Sequence, residues 1–206
     1  LLAGMDKFSQ KAYAMMRSSK AREAFDLTRE SASITRMFDE QAFSQSCLLA
    51  TRLVQSGVKF VTLNIGGWDT HRDNFTKLKD NLLPQLDAGL SGLLQALESK
   101  GLLESTAVFV TGEFGRTPKI NAKGGRDHWG NLCTLAFAGG GLKMGQVVGA
   151  SNKTVSEPAR DQVSSNMLLG TVMHTLLDIP NLRLRTNLPG DIQHVITNSR
   201  PIPQLV

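Results

Sequence analysis

Residues 58–65 read VKFVTLNI, a β-branched and aromatic run with too little polar character for a strand that shows one face to water. A strand of this kind is expected to be covered on both faces, as in a parallel sheet. TAVFVT at 106–111 has the same character. Between the two runs Leu78, Leu82, Leu86, Leu90, Leu93, Leu94 and Leu97 recur at spacings of three and four, one apolar face of a long helix. Strand, helix and strand make a βαβ unit, and LCTLAFA at 132–138 is a third candidate strand. The fold class predicted is α/β, three layers with a mostly parallel sheet and helices on both faces.

The flanking segments complete the plan. Met5, Phe8, Ala12, Met15 and Met16 predict a helical lead-in over residues 1–37, and the core is expected over 38–182. A second helix is predicted from Phe38 to Ser56, with Gly57 stopping it as Gly101 stops the longer one; Pro84 should end or bend the long helix's first turns. QVVGA at 146–150 is a short edge candidate, Ser164–Asp178 a helix, and 183–206, with Pro189, Pro201 and Pro203, an irregular tail. The opening LLAGMDKF has neither an initiator Met nor a signal segment and reads as the interior of a longer chain.

Composition narrows the function. The 206 residues are 41% hydrophobic, enough to bury a core. The excess of 23 Lys and Arg over 18 Asp and Glu gives +5, but the basic residues are scattered, so nucleic acid is not an expected partner. No run of about 18 apolar residues occurs, so no transmembrane segment is expected. Cys47 and Cys133 have no second cysteine near either, which leaves no zinc-ribbon or redox spacing.

In open parallel α/β sheets ligands collect at the carboxyl ends of strands, and polar motifs follow both buried runs. GGWDTH at 66–71 follows the first, GEFGRT at 112–117 the second, and GGRDHW at 124–129 leads into the third. Asp69 and His71, two apart, project to one side of an extended backbone. With Glu113, Asp127 and His128 they form a candidate ligand set for one or two divalent cations. Carboxylate with imidazole suits Zn, Mn or Fe better than Ca. Arg116 and Arg126 would hold an anionic group through their planar forks. Bland readings stand beside these: loop hydrogen bonds or helix caps for the Asp and His residues, and a surface ion pair for Glu113 with Arg116. His174 reads as structural, and His194 has no neighbours that recommend it. Thr70 and Thr117 are the hydroxyls within the motifs, and nothing marks either as an activated nucleophile. AGGGLKMG lacks the ending of a phosphate-cradling loop, and no GxGxxG follows either run, which demotes a nucleotide-binding domain to third place.

AFDLTRE, SQSCLLATRLVQSGVKFVTLN, GGWDTHRDNF, LLPQLDAGLSGLL, GLLESTAVFVTGEFGRTPKIN, GGRDHWGN and AGGGLKMGQVVGAS, in this order from about Ala24 to Leu182, resemble the carboxyl-terminal half of the bacterial domain of unknown function 1501 family. That family resembles the alkaline phosphatase and sulfatase superfamily. The resemblance implies an alkaline-phosphatase-like core, incomplete here, with the nucleophile upstream of Leu1, and export through a twin-arginine signal to the periplasm or beyond. It implies a metal-dependent hydrolase acting on a small anionic ester or a sulfated or phosphorylated polymer. Asp69, His71, Glu113, Arg116, Asp127 and His128 are the positions that match the family's motifs. Gly149-Ala150-Ser151-Asn152 departs from the family's usual Gly-Ala-Thr-Asp, which removes any acidic role at Asn152. The alternative is a noncatalytic protein holding an anionic or glycan ligand.

Overall fold

The computed structural model describes residues 6–185 and 187–206. Met5 and the side chains of Ala12, Met15 and Met16, on which the lead-in helix was predicted, lie outside the described residues. The chain divides into two compact units, residues 1–69 with 76–102 and residues 70–75 with 103–206.

The first unit is helical. After α1 (Lys7–Arg17), α2 (Ser19–Phe25) and α3 (Ala32–Thr35) comes α4 (Ala42–Gln55), which packs along the length of α6 (Leu83–Ser99). Cys47, Leu48, Ala50 and Thr51 of α4 and Leu93, Ala96 and Leu97 of α6 are buried. A fully buried leucine such as Leu97 contributes about 1.5–3 kcal/mol. Gly89 allows the close approach, since a Cβ there would lie 2.5 Å from Phe43 Cδ1 of α4, and Gly92 admits the segment before α4, a Cβ there lying 2.5 Å from the Met37 carbonyl oxygen. Both helices end as predicted at a glycine in the left-handed region, Gly57 at φ 96° and Gly101 at φ 67°. In each, the next amide reaches back five residues, Val58 to the Leu53 carbonyl and Leu102 to that of Leu97.

Pro84 shows its effect before α6 begins. It has no N–H and its ring would crowd the carbonyl four residues back. The chain answers by widening: α5 (Asn74–Lys77) runs through a π-helical turn, Leu78–Leu82, where the Leu83 amide bonds the Leu78 carbonyl. Glu30 is the electrostatic anchor of this unit. Its buried carboxylate accepts from Lys100 Nζ at 2.9 Å and Arg52 Nη1 at 3.1 Å, while Arg52 also donates to the carbonyls of Glu23 and Ala24 at the end of α2. Burial pushes the Glu30 carboxyl up, but Lys100, the Ser31 amide and Arg52 together outweigh it and hold it below its ordinary value.

The second unit carries all the strands assigned among the described residues. β1 (Ala107–Val110) pairs antiparallel with β4 (Ala136–Gly139), with Phe109 opposite Phe137 and their rings edge to face at 4.7 Å. β2 (Gly115–Arg116) pairs with β3 (His128–Trp129), and β5 (Ala150–Ser151) with β6 (Pro158–Arg160), both antiparallel. α7 (Ser165–Leu176) starts at Ser164, whose Oγ accepts from the Met167 amide. α8 (Ile179–Arg183) and α9 (Gly190–Asn198) follow, the latter within the segment whose prolines predicted a loop. The closing residues pack back on α7: the Ile202 amide donates to Thr171 Oγ1 at 2.9 Å, and both residues are buried.

This corrects the predicted fold class. Among the described residues every strand pairing is antiparallel and short, so there is no three-layer α/β core with a mostly parallel sheet, and no alkaline-phosphatase-like sheet. VKFVTLNI forms no ladder, and Phe60 within it is 76% exposed. TAVFVT does become β1, but half-buried, and its partner is the later β4. The physical reason is that β-branched and aromatic residues set a preference for extended backbone, whereas a partner and its direction depend on contacts that composition does not encode. No described helix is long and apolar enough to cross a membrane.

Candidate metal centre

Within the second unit a short backbone zipper places His71 and His128. Residues 70–75 lie along 117–128: the Arg126 amide donates to the Thr70 carbonyl at 3.1 Å, the Asp73 amide to that of Lys123 at 3.2 Å, and the Asn74 amide to that of Gly124 at 3.1 Å. Gly125 permits this contact, because a Cβ there would lie 2.0 Å from the His71 carbonyl carbon. Gly124, at φ 67°, turns the chain into it. Thr70 and Asn74, both buried, hydrogen-bond through their side chains and lock the first segment. On the other side β2 pairs with β3, so that Arg116 is the register partner of His128.

This frame brings the imidazoles together. His71 Nδ1 bonds Asp127 Oδ1 at 2.6 Å, and His71 Nε2 lies 3.2 Å from His128 Nε2. The Phe114 ring lies against His128 with centroids 4.4 Å apart. Asp69, one residue before Thr70, adds its carboxylate: one ligand atom from each of Asp69, His71 and His128 lies within 4.8 Å of the others. Asp127 is exposed, yet its carboxyl is held below the ordinary carboxylate value, first by the bond to His71 and then by one from Asn121.

The remaining predicted residues are placed differently. Glu113 is exposed and outside this group. Arg126 donates through Nη1 to the carbonyls of Thr117 at 2.6 Å and Pro118 at 2.8 Å, and its guanidinium stands 5.4 Å from the Phe75 ring centroid. Arg116 Nη1 donates to the Arg126 carbonyl at 3.3 Å. His174 sits on α7, and His194 on α9 contacts Asn198; neither belongs to the cluster. Sequence reasoning passed over Asn121, which bonds both Asp127 and the His71 carbonyl. Its signal was present as an Asn shortly before a Gly-Gly pair, the pattern of a side-chain-closed turn.

The three donors could hold a metal ion. Two imidazole nitrogens at about 2.0–2.1 Å from a tetrahedral ion stand about 3.3 Å apart, close to the spacing found here. A carboxylate accepts, so the contact with Asp127 favours the His71 tautomer protonated at Nδ1, which leaves Nε2 the lone pair a metal needs, the usual arrangement of a carboxylate behind a ligating histidine. The exposure of Asp69 and His128 leaves an open side for a further ligand.

A mixed fold of packed helices and short antiparallel pairs, carrying a group of Asp69, His71 and His128 that could hold a metal ion, defines the class of protein. A family profile described as "Protein of unknown function (DUF1501)" matches residues 1–206, and the chain belongs to that family. No curated protein and no solved structure matches the chain.

Proposed function

We propose that the protein binds a divalent cation through Asp69, His71 and His128, and that the site serves hydrolysis of phosphate or sulfate esters, either small or carried on a polymer. The observation that carries this reading is the pair of Nε2 atoms 3.2 Å apart beside the Asp69 carboxylate. A cation bound there supplies Lewis-acid polarisation of an ester oxygen and activation of water. Asp127 fixes the ring orientation and tautomer of His71. Arg126 keeps the loop closed through the Thr117 and Pro118 carbonyls, and Arg116, beside His128 in register, takes the anionic group. The test is metal content by elemental analysis of the purified protein, with turnover of aryl phosphate and aryl sulfate esters, in wild type and His71→Ala. A bound divalent ion and turnover, both lost in the variant, support the proposal; absence of both refutes it.

A second reading is favoured by the engagement of both arginines with backbone carbonyls and by the position of Glu113 outside the group. The same centre then holds an anionic or glycan ligand without turning it over. A bound metal with no ester turnover, in the presence of ligand-induced protection of the site, selects this reading.

A further inference from the structure

We infer that Asn121 is the positioning residue of the centre, the group through which the turn at 121–125 sets the orientation and tautomer of His71; this rests on the metal-binding reading above. One side chain does two separate jobs. Its Oδ1 accepts from the Lys123 amide at 2.9 Å and the Gly125 amide at 3.0 Å, which closes the turn. Its Nδ2 donates to the His71 carbonyl and to Asp127 Oδ1, each at 3.1 Å. The amide therefore grips His71 at two points, directly at its backbone and, through Asp127, at its ring. Asp127 Oδ1 receives both the His71 ring and the Asn121 amide, so the position of that oxygen is shared between them. The backbone supports the same placement, since the Asn121 amide donates to the Gly125 carbonyl at 2.9 Å and Gly125 abuts His71. Groups that orient a ligating histidine from behind are worth about 10–100-fold in metal affinity.

The two jobs can be separated. Asn121→Asp keeps the shape and the Oδ1 acceptor of the turn, and replaces the donor nitrogen by an oxygen that faces two acceptors, the His71 carbonyl and Asp127 Oδ1. It also adds a negative charge, which by attraction alone would tighten cation binding. The experiment measures Co²⁺ affinity by titration and the His71 ring ¹⁵N shifts in metal-free protein, for wild type, Asn121→Asp and Asp127→Asn. The expected result is a Co²⁺ affinity about 10–100-fold weaker in Asn121→Asp despite the added charge. His71 should move from the Nδ1–H tautomer towards a mixture, while the Lys123 and Gly125 amide signals hold their positions. Asp127→Asn, which leaves the Asn121 turn in place, should give the same ring shift. An unchanged His71 tautomer in Asn121→Asp overturns the inference whatever the affinity does, and a ring shift in Asp127→Asn alone reduces Asn121 to a turn residue. Failure of wild type to bind Co²⁺ sinks the metal reading instead, and the tautomer measurement still decides the role of Asn121.

Discussion

Gly125→Ala is the sharpest perturbation of the frame. The new Cβ would stand 2.0 Å from the His71 carbonyl carbon, 2.1 Å from its oxygen and 2.5 Å from the Arg72 nitrogen. All three are backbone atoms, so no rotamer relieves the clash and residues 70–75 must move away from 117–128. That displacement breaks the three amide bonds of the zipper, made by Arg126, Asp73 and Asn74. At about 1 kcal/mol net for each, the local loss is about 3 kcal/mol. Hydrogen exchange reads it directly: those three amides should exchange on the order of a hundredfold faster than in wild type. Gly130→Ala is the control, since nothing lies within 4 Å of its added Cβ and its φ is ordinary; exchange there should hold within about 0.5 kcal/mol. Unchanged protection of all three amides in Gly125→Ala would refute the zipper as the element that builds the centre.

Glu30→Ala strands Lys100 and Arg52 in a half-buried setting and should cost about 3 kcal/mol, read as a lower urea midpoint. Because the Glu30 carboxyl titrates lower when folded than its ordinary 4.5, its contribution is complete above that value and is lost as pH falls through the lower folded value. Wild type should therefore lose stability below about pH 4.5 more steeply than Glu30→Gln, and parallel pH profiles would contradict the assignment. Burial pushes the Cys47 thiol up to about 11, whereas Cys133 is exposed. A thiol reagent at neutral pH should label Cys133 in the native protein and reach Cys47 only on unfolding; prompt labelling of both would show that α4 and α6 do not exclude solvent as described.

The helical half of the molecule was legible in sequence because its code is local. Leucines at spacings of three and four place one face of α6 against α4, and a glycine after each helix announces the left-handed turn that ends it. The sheet was not legible, because pairing is a property of two segments. VKFVTLNI and TAVFVT look alike as sequence, yet the first forms no ladder and the second pairs antiparallel with β4. The candidate centre lies between these cases. Asp-x-His and Asp-His are readable as ligand types, and the fold brings Asp69, His71 and His128 into one group. That Asp127 would stand behind His71, with Asn121 holding both, depends on 70–75 lying along 117–128. The glycine that permits it, Gly125, carries no mark in sequence distinguishing it from a flexible loop residue. Arg126 shows the converse limit: charge suggests an anion clamp, while its Nη1 is spent on the Thr117 and Pro118 carbonyls.

Metal binding by Asp69, His71 and His128 is tested most directly by a Zn²⁺ titration by calorimetry of the metal-free protein beside its His71→Ala and His128→Ala variants. A single stoichiometric site is expected in wild type and its loss in both variants, with circular dichroism unchanged. Absence of stoichiometric binding, or equal affinity in all three proteins, would contradict it.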